Sequence, residues 1–128
     1  MGNGTSIGRV RGLGAAHSGS HHWLVIRYTA IGSLLLTVWF AVSLLLLLND
    51  WRFETMHDWI ARPVPATALA LFVLVNIWHA RLGLQVVVED YVHDDGGKFA
   101  CIALLNLLAF AGAAFGLFCV IRMALGGA

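Results

Sequence analysis

Three long apolar stretches separated by two short polar ones set the pattern of the 128-residue chain. The first, Tyr28 to Asn49, carries no charge; the second, Ala66 to Val88, is interrupted by Asn76, His79, Arg81 and Gln85; the third, Phe99 to Ile121, is again uncharged. A helix needs about 20 predominantly apolar residues to cross the hydrocarbon of a bilayer. Within lipid every backbone N–H and C=O must be satisfied inside the segment, which a helix achieves. The pattern therefore predicts an all-α membrane protein with three transmembrane helices, at about 24–49, 65–90 and 98–123. The whole chain, 1–128, reads as one membrane domain.

The first connector, DWRFETMHDWIARPVP, has its own periodicity. On a helical wheel Phe53, Met56, Trp59 and Ile60 share one face, with Glu54, Asp58 and Arg62 opposite. This is the pattern of a short amphipathic helix lying in the interface, with Trp at headgroup depth; the alternative is an ordinary polar loop. Pro63 and Pro65 end it and open the second span.

Residues 1–22 are rich in Gly, Ser and His and lack the apolar core of a secretory signal. Their glycines disfavour an amphipathic helix, so a flexible tail at the membrane surface is expected. Composition agrees with the span pattern: 59% of residues are hydrophobic and 12% charged, against about 25% charged in soluble domains. A net charge of +1 argues against a nucleic-acid partner held by electrostatics. With the N-terminus inside, Arg9, Arg11, Arg27 and Lys98 lie on the inner side and Arg52, Arg62 and Arg122 on the outer side, which favours a cytoplasmic N-terminus by one charge. Cys101 and Cys119, 18 residues apart, would stand about 27 Å apart on one helix and cannot bridge. Gly112 and Gly116 form a GxxxG spacing that suits close approach of another helix.

His79 is the informative polar residue. An ionisable group inside a span is costly and points to function. Neutral imidazole is a common axial ligand of haem iron; the alternative is a histidine hydrogen-bonded to a neighbouring helix. The 11 residues from His79 to Asp90 span 1100°, about 20° past three full turns. His79, Gly83, Val86 and Asp90 thus form one stripe, with Gly83 leaving room for a flat macrocycle or another helix. Tyr91 lies about 18 Å from His79 along the axis. The stripe joins mid-membrane to one surface. The other histidines, His17, His21, His22, His57 and His93, lie in tails, loops or at a helix end. A haem held by two histidines would need its second ligand from a partner chain.

Arg81 is about 200° from His79 and is expected to face a partner or reach toward headgroups. Arg27, at the mouth of the first span, suits a haem propionate or a lipid phosphate. Tyr91 beside Asp90 suits either an interfacial anchor or a hydrogen bond to a quinone carbonyl with a carboxylate to relay protons.

The run HARLGLQVVVEDYVHDD, residues 79–95, resembles the second-helix signature of the succinate dehydrogenase hydrophobic membrane anchors of complex II. The matching positions are His79, Gly83, Gln85, Val86, Asp90, Tyr91 and Val92. IRYTAI, residues 26–31, resembles the family's opening of the first helix. Arg81 departs from a position that is often uncharged in the family.

The resemblance implies specific roles. His79 would be one axial ligand of the iron of a b-type haem, the other coming from a cytochrome b556 anchor partner. Tyr91 would hydrogen-bond ubiquinone at a site shared with that partner and the iron–sulfur subunit. Asp90 would support this site, and Arg27 would lie near the haem propionates or the quinone pocket. The chain would dock the flavoprotein and iron–sulfur subunits to a bacterial inner membrane (a mitochondrial one being the lesser alternative), with its N-terminus cytoplasmic. It would do no succinate chemistry itself. Two other readings stay open: a fumarate reductase-type anchor, and a cofactor-free structural membrane subunit.

Overall fold

The computed structural model describes residues 19–47 and 52–126. Four helices follow one another: α1, Gly19–Leu47; α2, Phe53–Ile60; α3, Pro63–Tyr91; and α4, Asp95–Ala124. Three of them, α1, α3 and α4, are long and apolar enough to cross a membrane. The short α2 lies between the first and second spans, where the connector predicts it.

Local chemistry sets the ends. Arg62 is the extended N-cap of α3, and Pro63 fills N1, where a missing N–H costs nothing. Asp94 caps α4, its Oδ2 accepting from Gly97 N–H at 2.6 Å. That cap starts α4 at Asp95, before its apolar run begins. At the other end of the chain, residues 1–18 of the expected tail fall outside the described residues, as do residues 48–51. Residues 19–22, expected as the end of that tail, instead form the first turn of α1. A nucleated helix extends at little cost, one hydrogen bond per added residue.

The central span is α3, packed antiparallel against α1 on one side and α4 on the other. Against α4 the approach is close. A Cβ on Gly116 would sit 2.6 Å from Val73 Cγ1, and one on Gly112 would sit 3.7 Å from Ile77 Cδ1. The GxxxG spacing therefore serves contact within the chain. Against α1, Gly32 admits Val75 Cγ1 at 3.3 Å, and Phe40 packs on Phe72 with centroids 5.1 Å apart.

Helix α2 turns its apolar face inward. Trp59 stacks on Trp39 of α1 at 5.8 Å, and Met56 and Ile60 line a cavity shared with Cys119 and Met123 of α4. Both cysteines are free.

Little of the chain is enclosed. Among the described residues the buried hydrophobic side chains are Leu69, Leu82 and Val120, and α1 buries none. Such extensive apolar exposure needs lipid or partner helices to cover it.

Candidate functional site

Polar side chains join α3 both to α1 and to α4. Between α1 and α3 there are two rungs. Thr29 Oγ1 lies 3.1 Å from His79 Nδ1, and one turn along Ser33 Oγ donates to Asn76 Oδ1 at 2.7 Å. Thr29 and Ser33 are four residues apart and Asn76 and His79 three apart, so each pair occupies one helix face. Two further bonds tie the rungs to their own helices. Thr29 Oγ1 lies 2.8 Å from the Val25 carbonyl oxygen and 3.0 Å from that of Ile26, and Asn76 Nδ2 donates to the Phe72 carbonyl at 2.8 Å.

His79 is half-buried. Its Nε2 makes no hydrogen bond to any described residue. Four residues along the stripe, a Cβ on Gly83 would meet nothing within 4 Å. Gly83 is thus not demanded by packing within this chain, unlike Gly116. The space beside it is open to whatever covers this face. A histidine held at one ring nitrogen, free at the other, beside an open glycine, fits a flat macrocycle approached from outside the chain. Among the described residues no three His, Cys, Asp or Glu side chains converge to hold a bare metal ion.

The stripe ends at the last turn of α3. Asp90 is exposed and Tyr91 is 80% exposed at the last turn of α3. His93 Nδ1 donates to the Tyr91 carbonyl at 3.2 Å, folding the chain over the end of the helix. Gln85 Nε2 donates to Glu89 Oε1 at 2.7 Å on a neighbouring face. Arg27 does not join His79. It lies two residues from Thr29, about 200° around α1, with its guanidinium 4.4 Å from the Trp23 ring centroid.

The other polar contact joins Arg81 of α3 to α4. Arg81 Nε donates to Asn106 Oδ1 of α4 at 2.6 Å, an exposed contact, and its guanidinium lies 5.2 Å from the Trp78 centroid. The pair closes one end of an apolar groove of about 910 Å³ between α3 and α4, floored by Ala109, Ala113 and Leu117.

Sequence reasoning missed Thr29, Ser33 and Asn106. The available signal was polar spacing within apolar runs, Thr29 with Ser33 on one helix and Asn76 with His79 on another.

Comparison with known proteins agrees with this architecture. The family described as "Succinate dehydrogenase/Fumarate reductase transmembrane subunit" matches residues 1–114. The chain is 36% identical over 106 residues to a succinate dehydrogenase hydrophobic membrane anchor subunit of Rickettsia bellii, covering 82% of this chain and 78% of that one. It is 37% identical over 86 residues to the anchor subunit of Rickettsia conorii, covering 67% of this chain and 68% of that one. It is 30% identical over 115 residues to that of Paracoccus denitrificans, covering 90% and 88%. No solved structure matches. With three membrane-spanning helices, a match over most of its length and relatives of one kind, the chain belongs to the succinate dehydrogenase/fumarate reductase transmembrane subunit family, among its hydrophobic membrane anchor subunits.

Proposed function

We propose that this anchor subunit supplies half of a b-type haem site and part of a ubiquinone site in a succinate:ubiquinone oxidoreductase. His79 would hold the haem iron through Nε2, and a cytochrome b556 partner would supply the other ligand. The observation that carries this reading is the state of His79. Among the described residues it is the one histidine deep in a span, its Nδ1 is engaged by Thr29, and its Nε2 and the neighbouring Gly83 are open. When bound, the haem supplies a one-electron store beside the route from the iron–sulfur clusters to the quinone.

The surface end of the stripe handles the quinone. Two electrons and two protons convert ubiquinone to ubiquinol. The Tyr91 phenol donates a hydrogen bond to a quinone carbonyl, and the Asp90 carboxylate next to it passes protons from the aqueous side. Both groups stand exposed on the last turn of α3, where a docked iron–sulfur subunit would cover them. Arg27 offers a guanidinium to a propionate or to a lipid phosphate at the same end of the bundle, since α1 begins where α3 finishes. That end faces the cytoplasm of a bacterial inner membrane, in line with the excess of one basic residue on that side. The flavoprotein and iron–sulfur subunits dock there. The relatives' names favour succinate oxidation as the direction of flow over fumarate reduction.

A reduced-minus-oxidised spectrum of the purified complex tests the reading. The wild type should show a b-type absorbance that His79→Ala loses. An unchanged haem content in the variant removes His79 as a ligand.

A further inference from the structure

The hydroxyl of Thr29 is close to three partners at once: the Val25 carbonyl at 2.8 Å, the Ile26 carbonyl at 3.0 Å and His79 Nδ1 at 3.1 Å. It has one proton and two lone pairs. Carbonyl oxygens can only accept, whereas Nδ1 either donates or accepts. Suppose the proton pointed at Nδ1. The hydroxyl lone pairs would then face two carbonyl oxygens at 2.8 and 3.0 Å, and those contacts would be repulsive. Suppose instead that the proton points at the carbonyls. The hydroxyl then donates along its own helix and accepts from Nδ1–H. The second arrangement makes one more hydrogen bond and removes the repulsion. In a span, without water, that difference decides the outcome.

A neutral imidazole protonated at Nδ1 carries its lone pair on Nε2. We propose that Thr29 is a positioning residue for His79, fixing the tautomer and the ring orientation in which Nε2 is the coordinating atom. The inference rests on the reading of His79 as an axial ligand. Ligating histidines characteristically anchor their other N–H on an outer acceptor, which orients the ring and raises its basicity. Here the acceptor comes from a different helix, 50 residues away in the chain. Its own position is fixed independently of any ligand. The back-bond to Val25 restrains the Thr29 rotamer, and the Ser33–Asn76 rung holds α1 and α3 in register one turn away.

The test compares Thr29→Val, Thr29→Ser and His79→Ala in the assembled complex. Thr29→Val keeps the shape of the side chain and removes the acceptor. It should retain haem, raise the haem reduction midpoint as the ring loses electron-donating character, and alter the low-spin electron paramagnetic resonance signal. Thr29→Ser should return both toward wild type. If Thr29→Val leaves midpoint and resonance unchanged while His79→Ala loses the haem, Thr29 has no positioning role and the ligand reading stands. If His79→Ala keeps the haem, the ligand reading fails, and this inference with it. Should Thr29→Val lose haem or fail to assemble, the wild-type full chain decides. Histidine ¹⁵N chemical shifts in lipid, assigned by difference from His79→Ala, should place the proton on Nδ1; a proton on Nε2 overturns the proposal.

Discussion

Ser33 Oγ donates to Asn76 Oδ1 at 2.7 Å, one turn from the Thr29–His79 contact. Together the two rungs fix how α1 sits on α3. Ser33→Ala removes the donor and leaves the Asn76 oxygen in a dry interface with nothing in its place. Interhelical hydrogen bonds in membranes are worth about 0.6 kcal/mol on average and up to about 1.7. A loss in that range is expected, read as a lower denaturant midpoint for the purified complex in detergent. An unchanged midpoint would mean that packing of Gly32 and Phe40 alone sets the register.

The spans, the interfacial helix and the His79–Asp90 stripe were legible in the sequence because each depends on one segment's own periodicity. Hydropathy needs only length, and helical phase needs only 100° per residue. The polar rungs needed more. Helix α1 is apolar all round, so nothing in its pattern says which face meets α3. Thr29 and Ser33 share that run with Thr37 and Ser43, and a hydroxyl bonded back to its own helix is ordinary in a span. Arg81 illustrates the same limit. Its angle from His79 was readable, but its acceptor, Asn106, lies on another helix and is recognisable only once α3 and α4 are in register.

Two glycines of α3 and α4 give a matched pair. A Cβ on Gly116 would lie 2.6 Å from Val73 Cγ1, and the β-branched Val73 has few rotamers into which to retreat. Gly116→Ala should cost about 1–3 kcal/mol in overpacking, partly offset by the roughly 1 kcal/mol that alanine gains in helix propensity. Gly83→Ala meets nothing within the chain and should fold as well as wild type. In the assembled complex it fills space beside His79, so haem content per complex should fall. Full haem occupancy in Gly83→Ala would place the macrocycle elsewhere.

Tyr91 gives a prediction that separates the two halves of the enzyme. Tyr91 is 80% exposed. Tyr91→Phe keeps the ring as an interfacial anchor and deletes one hydroxyl. Quinone reduction should fall about 10-fold, the factor for one hydrogen bond of roughly 1.4 kcal/mol. Succinate oxidation by a soluble dye, which bypasses the membrane, should be unaffected. Equal rates in both assays would leave Tyr91 as an anchor alone.

Arg81 and Asn106 carry the sharpest double substitution. Their 2.6 Å bond lies about 15 Å along the axis from the Tyr91 end of α3. Removing one partner strands the other. Asn106→Leu leaves a guanidinium with its Trp78 contact but without its acceptor, which costs about 1–3 kcal/mol for this half-exposed group. Some of that cost is relieved if the side chain bends toward headgroups. Arg81→Leu leaves only a neutral amide, at about 1–3 kcal/mol. Replacing both by leucine removes every unsatisfied group and lines the α3–α4 groove with aliphatic carbon. The double variant should therefore be more stable than Asn106→Leu alone. A double-mutant cycle on thermal unfolding of the complex measures this. Strict additivity of the two single effects would mean that the pair is not coupled, and that Arg81 is stabilised by Trp78 and lipid instead.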